Sequence, residues 1–150
     1  MDISNEYLRN AVLTASPEQL QLMLYDGAIR FTRQGIDGLE RKAWEDVFNG
    51  FSRAQKIVLE LTSALNHDVD PDLCKRMAGL YNFIYRKLVD ASVNKDLALA
   101  KEALRLLEYQ RETWILLIEK LNKDRPAHPA TKAPAHEGAE AAYSTLSVEG

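Results

Sequence analysis

Two stretches of this chain, and one lone residue, carry side chains whose types could do chemistry. After His67 the acids Asp68, Asp70 and Asp72 alternate, a pattern with a superficial likeness to a calcium loop. The glycine and the terminal glutamate that such a loop needs are absent at the required spacing. The cluster is better suited to turn formation and to capping a helix that starts at Pro71. His128 and His136 lie eight apart with no cysteine or paired acids beside them, which is not a ligand set for zinc. Cys74 is the only cysteine and reads as a helix-surface or core-edge residue rather than a nucleophile. There is no phosphate-cradling Gly-x-x-x-x-Gly-Lys-Ser/Thr loop, no serine-centred elbow, and no pair of Glu-x-x-His segments of a di-iron bundle. The expectation is binding without catalysis, with no cofactor and no metal.

The bulk properties narrow the class. A chain of 150 residues with 46% apolar and 27% charged residues is long enough for one domain with a substantial core. Its net charge of -3 does not suit a nucleic-acid binder. The basic pairs Arg30/Arg33 and Arg53/Lys56 are accompanied by acids and read as solvated bundle surface. A single cysteine fits a reducing compartment. The opening Met-Asp-Ile-Ser-Asn-Glu lacks the features of a signal peptide. The greasiest stretch, Ile115 to Ile118, is flanked by charges, so no membrane insertion is expected. The expected location is the cytoplasm.

The elements follow from periodicity. Ser16, Pro17, Glu18 and Gln19 form a capping box with proline at the first helical position, and the helix they open is expected to stop at Gly35 or Gly38. A second helix reads from about Arg41 to Ala64, with Trp44, Val47, Phe51, Ala54, Val58, Leu61 and Leu65 on one seam of alternating three- and four-residue steps. Asp70 and Pro71 start a third, carrying Leu73, Met77, Leu80, Tyr81, Ile84, Leu88 and Ala91. Ser92-Val93-Asn94 reads as the next connection. The fourth helix runs from near Lys95 to Leu121, with Leu97, Ala100, Leu104, Leu107, Trp114, Ile118 and Leu121 on one face. Arg111 interrupts that face, its stem along apolar surface and its guanidinium reaching water or a carboxylate. No segment alternates with period two, so no sheet is expected. The economical packing is an all-α, antiparallel up-down-up-down four-helix bundle. Trp44 and Trp114 are expected at helix interfaces, worth about 3–5 kcal/mol each against alanine. Residues 1–15 form an N-terminal arm or short helix packing over the bundle, residues 16–122 the bundle, and residues 123–150 a flexible Pro/Ala-rich tail. Tyr143, Leu146 and Val148 make a faint apolar patch within that tail.

The first long helix carries more apolar surface than one neighbouring layer uses. On a wheel, Leu20, Leu24, Ala28 and Phe31 form one stripe, with Gly27 and Gly35 beside it. Leu22, Tyr25, Ile29 and Ile36 form a second. Either the two stripes meet two neighbours within the bundle, or the second lines a groove for a foreign amphipathic helix. In the second case an exposed patch needs a cover, and residues 7–13 are a candidate that a partner would displace. Gly27, costly in mid-helix, suggests close approach by a neighbouring backbone.

These residues resemble a known family. "TASPEQLQLMLYDGAIRF" (Thr14–Phe31), "RAQKIVLEL" (Arg53–Leu61), "LYNFIYRKL" (Leu80–Leu88) and Arg111-Glu112-Thr113-Trp114, with Tyr7 and Val12 ahead of them, are similar to the flagellar secretion chaperones, the FliS family. The first motif is the specific one. The resemblance implies an antiparallel bundle with an N-terminal segment across it, and a partner in the C-terminal region of flagellin. In the family that region lies in hydrophobic surface grooves, which prevents premature polymerisation and aids delivery to the type III export apparatus. Matched to the motifs and the wheel, the expected partner-binding residues are Tyr7, Leu20, Leu22, Met23, Tyr25, Ile29, Ile57, Leu61, Tyr81 and Leu88. Asn82 and Phe83 depart from the commoner Asp and Tyr of the third motif. The rival reading is a self-associating structural bundle, its extra stripe a homodimer seam.

Overall fold

Ser16 opens the first long helix as its spacing predicts. Its Oγ accepts from the Gln19 amide at 3.1 Å, and the Gln19 side-chain oxygen accepts from the Ser16 amide at 3.0 Å, which closes the capping box. The structure is a computed structural model that describes residues 3–124 and 138–147. It contains α1 (Ile3–Thr14), α2 (Pro17–Arg41), α3 (Trp44–Ser63), α4 (Pro71–Asn94), α5 (Leu97–Asp124) and α6 (Ala139–Leu146), with no strand among the described residues.

The expected glycine stops are not stops. α2 runs through Gly35 and Gly38 and ends at Arg41; the left-handed residue that turns the chain is Lys42, at φ 57° and ψ 35°. Lys95 does the same between α4 and α5, at φ 52°, so Ser92, Val93 and Asn94 belong to α4 rather than to a connection. A side chain in this region crowds its own backbone. Replacing the exposed Lys42 by glycine should therefore raise stability by about 0.5–1 kcal/mol, or ~2–4 °C in Tm. An unchanged or lower Tm on calorimetry would show that the strain is already relieved locally.

The glycines serve packing instead. A Cβ on Gly35 would sit 2.7 Å from the ring of Phe51, and one on Gly50 would sit 2.5 Å from the Gly35 amide nitrogen and 2.7 Å from the Phe31 carbonyl oxygen. α2 and α3 thus run antiparallel, backbone to backbone from Gly38 against Val47 to Gly35 against Gly50, and farther along the Ile57 side chain lies against Gly27. α5 returns along the other side of α2 in the same sense: Arg33 pairs with Glu108, Asp26 with Arg111, and the Glu18 carbonyl with Trp114. α4 closes the ring between α3 and α5. Val47, Phe51, Ala54, Val58, Ile84, Leu88, Ala91, Ala100, Ala103 and Leu107 fill the interior. The four-helix bundle expected from the sequence is α2–α5.

Several local expectations are met and others corrected. Asp70 caps α4 by accepting from the Leu73 amide at 3.1 Å, and the Asn66 side chain accepts from the Asp68 amide at 3.1 Å, so within this stretch the Asp70 carboxylate does the capping and Asn66 shapes the turn. Cys74 is buried at the edge of the core, its thiol donating to the Asn66 carbonyl at 3.2 Å. Trp114 is half-buried between α5 and α2, its indole N–H donating to the Glu18 carbonyl at 3.0 Å. Trp44 is 45% exposed at the start of α3, with the Lys95 ammonium 4.1 Å above its ring; an indole this open contributes less than the interface role expected of it. Residues 139–146, placed by composition in a flexible tail, form α6 against the bundle. Three small or apolar residues on one face give them enough surface to bury: Ala139, Ala142 and Leu146 are all sealed from water. His128 and His136 lie outside the described residues.

Candidate functional site

The most distinctive surface of the molecule is the furrow between α2 and α3, because another part of the chain already lies in it. Gly27 leaves a notch on α2 where a Cβ would overlap Leu146 Cδ2 and approach Ile57 Cδ1 to 3.1 Å. Leu146 of α6 occupies that notch. At the other end of α6, Gly138, Ala141 and Ala142 face a hollow bordered by Leu20, Leu24, Glu60 and Ala64. α6 therefore runs in the same direction as α2 and opposite to α3. Its contact residues fall at positions 139, 142 and 146, steps of three and four that place them on one helix face.

Polar contacts fix the ends of this arrangement. Arg53 of α3 donates to the Ser147 carbonyl at 3.2 Å, a cation at the negative end of α6. The same guanidinium stands 5.6 Å from the centre of the Phe31 ring, so one side chain joins α2, α3 and α6. Beyond the start of α6 the furrow continues as a hollow of about 710 Å³ that Pro17, Gln21, Ser63 and Trp114 also border. Burial pushes the Glu60 carboxyl above its ordinary value; with Glu18, Gln21 and Ser63 it gives the trough polar groups beside the apolar ones of Leu20, Leu24 and Trp114.

α1 completes the site from outside. It packs chiefly against α6 rather than against the four bundle helices, and Val12 is sealed in the common core. α6 is thus the middle layer of three, between α1 and the α2–α3 face.

The residues expected to bind a partner are distributed unequally over this surface. Leu20 borders the furrow and Ile57 forms its floor beneath α6. Tyr7, 76% exposed, and Met23 share a shallow hollow between α1 and α2. Leu22 faces a separate hollow beside Ile118 and Leu121 of α5. Leu61, Tyr81 and Leu88 are interior. Tyr25 and Ile29, which the wheel turns outward, are also buried. The two stripes are reversed relative to the groove reading: Leu22, Tyr25 and Ile29 face the bundle interior and α5, while Leu20, Leu24 and Gly27 lie along the furrow. A helical wheel gives relative angles and no absolute orientation, so it could not choose between them.

Tyr25 and Tyr81 show what the interior positions do instead. Their hydroxyls meet at 2.6 Å across the diagonal of the bundle, and the Gln21 amide reaches each at 3.4 Å. Burial raises the pKa of both phenols above the ordinary tyrosine value; for Tyr81 the neighbouring Tyr25 adds to the rise. The quoted motifs are wired to one another: Tyr25 to Tyr81, Asp26 to Arg111, and the Glu18 carbonyl to Trp114. Arg111 does reach a carboxylate, as its place in an apolar face suggested.

Sequence reasoning missed Leu24, Glu60, Ala64 and Trp114 as furrow residues, and Ala139 and Ala142 as its occupants. The signal for the last two was present in the 139–142–146 spacing, but alanines in a stretch following three prolines carry little weight.

Among the described residues no group of three His, Cys, Asp or Glu side chains is placed to hold a metal ion, and no helix is long and apolar enough to cross a membrane. The fold and the furrow define a four-helix bundle that receives a further helix on one face. Residues 1–121 match the family model described as Flagellar protein FliS. The chain is 33% identical over 119 residues to the flagellar secretion chaperone FliS of Bacillus subtilis (strain 168), covering 79% of this chain and 88% of that protein. It is 28% identical over 108 residues to the protein of the same name from Salmonella typhimurium (strain LT2), covering 71% and 80%. The chain belongs to the FliS family of flagellar secretion chaperones.

Proposed function

We propose that this chain binds the C-terminal region of flagellin in the cytoplasm, holding it in apolar surface furrows so that it does not polymerise before export. It then delivers the subunit to the flagellar type III export apparatus. The observation that carries this reading is the seat of α6: the α2–α3 face accepts an amphipathic helix through a glycine notch, an apolar floor and a basic residue at the helix end. At 1.5 Å per residue α6 spans about 12 Å, and the furrow runs on past its first residue. A longer helix could use the whole length.

Such binding couples folding to association. A disordered segment gives up about 2–5 kcal/mol in ordering and recovers it by burying apolar side chains over a long interface. Nothing in this mode requires a nucleotide, a metal or a chemical step. Knob spacing against Gly27 and a polar rim including Glu60 and Arg53 would separate flagellins from arbitrary peptides.

Sedimentation of the full chain with flagellin's C-terminal segment tests the reading. The expected product is a one-to-one complex, with new amide protection on α2 and α3. A homodimer that survives saturating segment would favour the self-associating bundle instead.

A further inference from the structure

The occupant of the furrow comes from the far end of the same chain, and the N-terminal helix leans on it. We propose that α6 is a tethered stand-in for the partner helix and the platform on which α1 docks, so that a partner entering the furrow lifts both ends of the chain together. This rests on the reading that flagellin's C-terminal segment uses the α2–α3 furrow.

The geometry supplies each part. Leu146 fills the Gly27 notch, Ala142 borders the trough, and Ala139, on the same helix face, is sealed from water. A helix with small residues at its first and fourth positions and leucine at its eighth is thus the shape the furrow takes. The same description defines the kind of partner segment that fits there. α6 holds this place with only eight residues, and a bond from Arg53 to the Ser147 carbonyl ties its end to α3. A helix this short is marginal alone; the tether keeps it at high local concentration while leaving it displaceable. α1 finds its main backbone neighbour in α6. Removing α6 therefore removes the main neighbour of α1.

The experiment compares the full-length protein with full-length Leu146→Asp, and with Ala142→Glu as a second way to eject α6. Both substitutions lie outside α2–α5, so a retained melting transition shows that the bundle is intact. Hydrogen exchange on the free proteins reads the α1 platform; titration with flagellin's C-terminal segment reads competition. In both variants the amides of α6 and α1 should lose protection together, while α2–α5 keep theirs, and the segment should bind about tenfold tighter because the furrow is no longer occupied. Persistent α1 protection with α6 released overturns the platform. Equal or weaker binding by the variants overturns the competition but leaves flagellin binding standing. Failure of the segment to bind either protein overturns the flagellin reading and the competition with it.

Discussion

Gly50→Ala should destabilise the protein by about 2–3 kcal/mol and lower Tm by roughly 8–10 °C, although alanine is the better helix former. The added Cβ would lie 2.5 Å from the Gly35 amide nitrogen and 2.7 Å from the Phe31 carbonyl oxygen. Both are backbone atoms of a neighbouring helix and cannot rotate away. α2 and α3 must part, which loosens Phe31 and Phe51 and widens the face on which α6 lies. Gly79→Ala provides the control, since a Cβ there meets nothing within 4 Å. It should gain about 0.5–1 kcal/mol from helix propensity alone. The two substitutions are chemically identical and should shift Tm in opposite directions. Like signs on calorimetry would mean that the α2–α3 contact is looser than its geometry.

Tyr81→Phe should cost about 1–3 kcal/mol, far more than deleting one oxygen from an exposed tyrosine would. It leaves the buried Tyr25 hydroxyl with only the 3.4 Å contact to Gln21. Tyr25→Phe should act alike, and the double variant should recover part of the loss because no unpaired hydroxyl remains. A double-mutant cycle should therefore show coupling of about 1–2 kcal/mol; strict additivity would mean that the hydroxyls do not interact. The same pair predicts a response to alkali. Both phenols are held neutral in the folded chain by pKa values raised above the usual one. The unfolded chain consequently loses these protons first as pH climbs past about 10, and proton binding then favours the folded state less with each step upward. Their contribution is complete below that pH and declines above it. The double phenylalanine variant should show the shallower decline in denaturant midpoints between pH 9 and pH 11.

How much of this was legible in the sequence depends on the range of the interaction. The α2 capping box, the Asp70 cap and the α3 seam are local, and three- or four-residue spacing encodes them directly. So does the four-helix plan, because long helices joined by short links leave few packings. Gly35 and Gly38 were misread as stops because a glycine in a helix pattern looks the same whether it ends the helix or admits a neighbour. Only the facing residues, Phe51 and Val47, tell the cases apart. The motif residues of α2 were legible as important but not in their roles: Tyr25 and Asp26 are bound to Tyr81 and Arg111, partners more than fifty residues away. Gly27 was read as a point of close approach by a neighbouring backbone, but what approaches it are the side chains of Leu146 and Ile57. The helix of Leu146 was hidden by the Pro/Ala composition around it, and burial depends on a surface that no local window contains.

The order of synthesis gives the position of α6 a kinetic meaning. α2 pairs with α3, and α4 with α5, through contacts between successive segments, so the bundle can assemble as each helix leaves the ribosome. α6 is the last described element to emerge, and its anchor Arg53 precedes Ser147 by 94 positions. On the reading proposed above, any interval between closure of the bundle and docking of α6 would leave the trough uncovered. A client synthesised nearby would meet an open chaperone during that interval, and a mature molecule would offer it only a contested one.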